Sequence, residues 1–480
     1  MKNKFTEKQF LFYGLNYIIG FGFIATISSV VSKGLWGILI FVLTAFISMS
    51  VMLAFARGSQ NYGKEVGGTY AYAKKAFPGD DLKSRSILFL QGWNQFAQVP
   101  LFSATTPLFF IGLLGEFDSG HKTIYQFSAI AFFVLLTVIS SFGIRTSKWF
   151  IFFTAIIKWL TIAIGLSIVA YYSFSSFQFG ANFEKNPTID ISIIVTSVLS
   201  FIYAFAGGEG LAGISADVET RRFKKILMII FGVVLTFYFV FYMVYLGLDK
   251  AVLNGEGSSS VNFARIFRVG MGLTGVIMFT VGTFFNRVGS SLSSLIYYAR
   301  TVVPLAQDGF IPGIFAKKSK KTGEYRNAII FVAIFSISSM LIFTTIPYFL
   351  GIEDQFGAVL NAGNIVFLMQ YLLTMSTILY LSRKDKTFVV PIWEKILYVL
   401  AILLIAFIVL TALIPPIVGT KYSVSSAILL PSYVGTMLIG YLIWYIWYLI
   451  QKYYPNNWFT RSEKEEKIEP AFIYSANEIE

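Results

Sequence analysis

The chain has no cysteine and a single histidine among its 480 residues. Without thiols it can form no disulfide, no thiol nucleophile and no thiolate metal site. His121 lies between Gly120 and Lys122 in a polar gap, so it reads as an exposed loop residue rather than a ligand. Charge is scarce as well: 13% of residues are charged, against about 25% in a soluble domain. Catalytic signatures are absent. The chain has no Walker-type phosphate loop, no HExxH and no His/Asp cluster, which leaves no basis for an enzyme or a resident cofactor or metal. No cleavable leader is expected either. Met1 to Phe10 is polar and charged, and the apolar run from Leu11 is long, with no small-residue cleavage site.

What remains is apolar. The chain is 56% hydrophobic, with a mean hydropathy of +0.69, which places it in a bilayer. Apolar runs of about 20 residues give twelve expected spans near 10–32, 36–57, 86–114, 123–142, 148–172, 190–213, 224–248, 269–302, 327–349, 357–381, 393–416 and 428–451. The eighth is long, so it is expected to tilt or to extend beyond the lipid. The polar stretch from Arg57 to Arg85 is too long for a tight turn. Within it Thr69 to Lys75 reads as an amphipathic cytoplasmic helix, ended by Pro78 and Gly79. One polytopic unit is expected over 1–454, followed by a flexible cytoplasmic tail over 455–480.

Lysine and arginine collect in alternate loops. One set holds Lys2, Lys4 and Lys8, then Lys74, Lys75, Lys83 and Arg85, then Arg145 and Lys148. It continues through Arg221 to Lys225, Lys317 to Arg326, and Arg383 to Lys386. The other loops are nearly neutral or acidic, as at Glu116 and Asp118 or Glu353 and Asp354. By the positive-inside bias the basic set faces the cytoplasm, with both termini inside; the plasma membrane is the expected location of such a chain. The net charge of +13 is then mostly topology. Lipid is the expected surrounding, and a nucleic-acid partner is not expected.

Two spans contain glycine-loosened stretches: Ile19-Gly20-Phe21-Gly22 in the first, and Ala206-Gly207-Gly208-Glu209-Gly210 in the sixth. An unwound stretch in lipid is tolerable only where it lines a protein cavity. Paired breaks at corresponding places in two halves point to a transporter's binding site. The amides after the first break suit a carboxylate. The competing reading is close helix packing, but Gly20 and Gly22 are two apart and do not share a face. Three roles compete for Glu209: proton carrier, partner for a substrate amine, or an acid that holds the broken helix in shape. Tyr203 and Phe205 precede the break and either cap a substrate or pack. Lys158 falls in the middle of the fifth span, where an ammonium needs oxygen partners; the alternative puts it nearer the cytoplasmic end. Asn286 and Arg287 fall midway along the eighth span. Arg287 suits an anionic side chain bidentately, or a structural pair with an acid such as Glu209. Gln91, Asn94 and Gln95, with Asn361 and Asn364, add polar groups that interhelical hydrogen bonds explain equally well.

These residues resemble the amino acid permeases of the amino acid–polyamine–organocation superfamily. That family's first helix carries a pattern like IGSGIF, and residues 19–24 read IGFGFI, with Phe21 where a small residue is usual. A stretch like PEAGGxYxYxxxAFG follows the second helix, and here GKEVGGTYAYAKKAFPG runs over 63–79, the most specific match. The sixth-helix pattern FxxFxGFES is similar to FIYAFAGGEG over 201–210, which keeps Phe205, Gly207 and Glu209 and sets Tyr203 at an aromatic gate position. ADVETRR over 216–222 is a looser match. The end of the eighth helix, over 294–328, resembles the family pattern with an insertion before Gln307-Asp308-Gly309 and Tyr325 in place of a proline.

The resemblance implies an all-α membrane fold of twelve helices with a five-plus-five inverted repeat. Its first repeat would cover about 10–172, its second about 190–381, and two extra helices about 393–451. Helices one and six would be broken at the centre. It implies a secondary transporter of amino acids working by alternating access. The expected substrate contacts are Ile19, Gly20, Phe21, Gly22, Tyr203, Phe205, Ala206, Gly207, Asn286 and Arg287, with Lys158 and Glu209 in coupling or gating. A fifth-helix lysine stands in place of sodium in sodium-independent relatives, and TAIIKWL over 154–160 is similar, so proton symport or exchange is expected. A sensor of the same fold that binds without transporting is the alternative, and a channel a more distant one.

Overall fold

The computed structural model describes residues 5–62, 68–115, 121–141, 144–184, 189–213, 215, 218–220, 222–249, 262–319, 324–349 and 355–454. Among these the regular elements are helices. The one strand-like feature is an isolated parallel bridge between Phe5 and Val218. In chain order the helices are α1 (Glu7–Ile18), α2 (Phe21–Val31), α3 (Leu35–Tyr62), α4 (Thr69–Ala76), α5 (Leu82–Gly115), α6 (Lys122–Ser141), α7 (Ile144–Ser176) and α8 (Phe179–Glu184). They continue as α9 (Ile191–Phe201), α10 (Gly208–Gly213), α11 (Phe223–Tyr245), α12 (Asn262–Gln307), α13 (Arg326–Phe349), α14 (Gln355–Lys384), α15 (Ile392–Leu413) and α16 (Val424–Tyr453).

Nine helices among the described residues are long and apolar enough to cross a membrane, or ten when the bent pair α1–α2 is taken as one span. The chain is therefore a multi-pass membrane protein. Helices α5 and α6 lie where the sequence places a third and a fourth span. However, α5 carries Pro100 and Pro107 and a row of buried amides, Gln91, Asn94, Gln95 and Gln98, that dilutes its apolarity. In α6 the apolar stretch is Phe127–Ile139. The cytoplasmic tail expected over 455–480 and the first residues of the 63–79 motif lie outside the described residues.

The long eighth run does not simply tilt. Gly272 takes φ 61° and ψ −146°, so the backbone turns there and α12 consists of a short arm followed by a long helix. A side chain strongly disfavours that φ, and glycine does not. The expected amphipathic helix is α4. Tyr70, Ala71, Tyr72, Ala73 and Ala76 are buried, whereas Lys74 and Lys75 are exposed.

In lipid an apolar surface drives little association, so close packing and interhelical hydrogen bonds hold the bundle together. Helix α12 lies along α7, and α5 is flanked by α13 and α14. On α15 the face bearing Glu394, Tyr398, Ala401 and Ile405 is buried, while Ile392, Ile396, Leu403 and Phe407 are exposed. This is the one-sided periodicity of a helix between protein and lipid. The central helices enclose the two interrupted spans, α1–α2 and α9–α10.

Candidate functional site

The first interruption follows from Ile19 and Gly20. Ile19 is extended (φ −72°, ψ 105°) and Gly20 nearly fully so (φ −166°, ψ −147°), and α2 leaves at 53° to α1. The last carbonyls of α1 and the first amides of α2 therefore lose their intrahelical partners. Lys158 of α7 meets the carbonyls. Its Nζ donates to Asn16 O at 2.5 Å and to Ile19 O at 2.8 Å, and lies 5.5 Å from the Trp159 ring. The lysine is buried, so these oxygens supply the solvation that water would otherwise give.

The second interruption is longer. Helix α9 tightens into a 3-10 turn at Ile202–Phe205, Ala206 is extended, and Gly207 takes φ +127° before α10 begins. Glu209 closes this break, since its Oε1 accepts from the Gly207 amide at 2.9 Å. Its Oε2 accepts from the Tyr371 hydroxyl of α14 at 3.3 Å. Asn364, also on α14, donates to Leu199 O at 2.8 Å, and Ser200 donates to Asn361 at 2.8 Å. The polar groups of α14 thus pair with the end of α9.

The two breaks touch. The Tyr238 hydroxyl of α11 lies 2.8 Å from Ala204 O and 3.2 Å from Ile18 O, and donates to one carbonyl at a time. Its ring stacks on Phe23 at 4.1 Å. A Cβ on Gly22 would stand 2.5 Å from Tyr203 O, so only glycine lets the first turn of α2 approach the 3-10 turn this closely.

Between the breaks is a cavity of about 130 Å³, roughly ten times the space one water needs. Gly20, Gly22, Tyr203, Ala206 and Gly207 border it with backbone and side chain. Serines of α12 (Ser290, Ser291 and Ser294) add hydroxyls, Glu209 adds a carboxyl group and Arg287 a guanidinium. Phe102 of α5 stacks on Tyr203 at 4.9 Å and covers one side. The guanidinium of Arg287 meets the Tyr203 hydroxyl and lies 5.8 Å from the Phe109 ring.

The residues singled out in the sequence divide into groups. Gly20, Gly22, Tyr203, Ala206, Gly207, Glu209 and Arg287 border this cavity. Ile19 turns its carbonyl to Lys158, and Asn286 shares a separate cavity of about 20 Å³ with Lys158 and Asn16. Phe205 packs among Phe41, Phe201, Phe231 and Tyr238. For Phe21 the backbone opens α2, and its side chain is outside the described atoms. Tyr17, which borders the cavity, and Tyr238 and Tyr371, which bond to the breaks, are not distinguished by the sequence. Each is a tyrosine within an apolar run, and among 27 tyrosines nothing set these three apart.

A bundle of apolar helices with a polar cavity between two interrupted spans is the architecture of a membrane transporter. The family model described as "Amino acid permease" matches residues 5–439, and the chain belongs to that family. An uncharacterized protein of Mycoplasma genitalium is 33% identical over 479 residues, covering 95% of this chain and 97% of the relative. A second from the same organism is 30% identical, covering 92% and 96%. More distantly, the putrescine transporter PotE of Escherichia coli is 20% identical over 389 residues, covering 79% and 84%. The chain is a non-enzymatic transporter, as its family and the transporter among its relatives indicate.

Proposed function

We propose that this protein is a secondary transporter that moves amino acids across the plasma membrane by alternating access, without sodium. One observation carries the reading: a single small cavity is bordered by the freed backbone of two interrupted spans that touch through Tyr238 and Gly22. The first-turn amides of α2 suit a carboxylate, and the carbonyls around the 3-10 turn suit an ammonium. Lys158 supports sodium independence, because a fixed ammonium already occupies the carbonyls of Asn16 and Ile19. Proton symport and exchange both fit this arrangement.

The same reading takes the chain as twelve crossings, counting α5 and α6, with repeats near 10–172 and 190–381, extra helices near 393–451, and both termini cytoplasmic. Alternation of basic and neutral loops supports the orientation. A diamine substrate, which the name of the distant Escherichia coli relative raises, fits less well. Arg287 would repel it, and both oxygens of Glu209 already accept hydrogen bonds.

Uptake of labelled amino acids into proteoliposomes in sodium-free buffer tests the proposal. Saturable uptake or exchange of at least one amino acid is expected. Binding without any flux would favour a sensor, and dependence on added sodium would contradict the role given to Lys158.

A further inference from the structure

A second cavity, of about 270 Å³, adjoins the central one. Thr106, Phe133, Arg287 and Ser291 border both, so the two share a wall. Away from that wall the second cavity is mainly apolar, lined by Phe110 and Leu114 of α5, Phe132 and Leu136 of α6, and Phe284 of α12, with Tyr125 and Ser128 of α6 as its polar residues. The Phe284 ring lies 4.7 Å from Phe132 and 5.9 Å from Phe110, which makes an aromatic surface.

Two adjoining compartments of unlike chemistry define an amphipathic ligand. The geometry points to a side-chain subsite: the α6-side cavity takes the large apolar side chain, aromatic or branched aliphatic, of an amino acid whose charged groups sit between the two breaks. This rests on the reading of the chain as an amino acid transporter and adds its substrate class. Size agrees, since an apolar cavity of about 150 Å³ already holds a benzene ring. Chemistry agrees as well. A charged side chain among phenyl rings would lose its solvation without a partner, and a basic one would first meet Arg287 at the shared wall. A small or acidic side chain would leave the apolar lining without contacts.

The test uses the purified full-length protein, with thermal stabilisation and binding measured for phenylalanine, leucine, alanine, glutamate and lysine. Phenylalanine or leucine is expected to bind about 10- to 100-fold more tightly than alanine, from burial of the side chain. Ala129 borders the second cavity and not the central one. Ala129→Phe is expected to remove most of that preference while alanine binding persists, and the persistence reports an intact fold. If Ala129→Phe binds nothing, the smaller Ala129→Val is used, and a graded loss of preference is expected. Alanine or glutamate binding as tightly as phenylalanine in the wild type, with Ala129→Phe changing neither, would overturn the subsite and leave the amino acid transporter standing. Failure of all twenty amino acids to bind or to be taken up would overturn both. Native mass spectrometry that finds a lipid which phenylalanine does not displace would also overturn the subsite.

Discussion

At the scale of single residues, the site depends on where a side chain is forbidden. Gly22 and Gly20 look equivalent in the sequence, yet they stand in different surroundings. A Cβ at Gly22 meets backbone at 2.5 Å, whereas one at Gly20 meets only Asn286, at 3.6 Å, on an extended backbone that any residue adopts. Gly22→Ala is therefore expected to cut amino acid uptake by at least tenfold, from the loss of about 1.4 kcal/mol or more, and Gly20→Ala to have a much smaller effect; equal losses would contradict the assigned contact. Glu209 offers a second discrimination. If its task is to hold the Gly207 amide and Tyr371, Glu209→Gln keeps an acceptor oxygen and retains binding, while Glu209→Ala loses it. Binding assays on the two variants decide this. Loss of uptake in Glu209→Gln with binding intact would identify a proton carrier instead.

At the scale of elements, the interruptions were readable because glycine inside an apolar run is costly unless the backbone must open there. The long eighth run carries the same kind of signal in Gly270, Gly272 and Gly275, yet its length predicts only tilt or extension beyond the lipid, and the backbone turns at Gly272 instead. The partners of the breaks were less legible. Lys158 stood out because charge is rare in a span. Tyr238 did not, because it is one of 27 tyrosines in a chain that also carries 50 phenylalanines. Yet its hydroxyl meets a carbonyl from each break, so Tyr238→Phe keeps the stack on Phe23 and leaves one buried carbonyl short of a donor. A destabilisation of about 1–3 kcal/mol is expected, visible as a lower melting temperature together with weaker substrate binding. An unchanged melting temperature would mean that the contact between the breaks contributes little.

At the scale of the molecule, two charged clusters tie distant helices together. Asp308, just past α12, accepts from Tyr70 at 2.5 Å and Lys74 at 2.6 Å of α4, and its carbonyl accepts from Arg85 of α5 at 3.2 Å. Burial and the neighbouring carboxylate hold the Tyr70 phenol well above its ordinary range, so it remains a donor. In the first turn of α15, Glu394 has no exposed side-chain surface and accepts from Arg57 of α3 at 2.5 Å and Lys224 of α11 at 2.7 Å. Arg57 and Lys224 read in the sequence only as loop-flanking charges, because the acid that pairs with them is 337 and 170 residues away. Removing that acid leaves two cations facing each other. Glu394→Ala is expected to destabilise the fold by about 3–5 kcal/mol, seen as a marked drop in melting temperature with substrate specificity unchanged in the protein that remains folded.

Alternating access through the central cavity is the claim on which the account turns, and a chain with no cysteine allows it to be read directly. Ser290→Cys would put a single thiol at the cavity wall. In oriented proteoliposomes, a membrane-impermeant thiol reagent applied to one face and then, in a separate sample, to the other is predicted to label it from both, with the transported amino acid slowing the reaction. Labelling from one face only, whether or not substrate is present, would contradict the account.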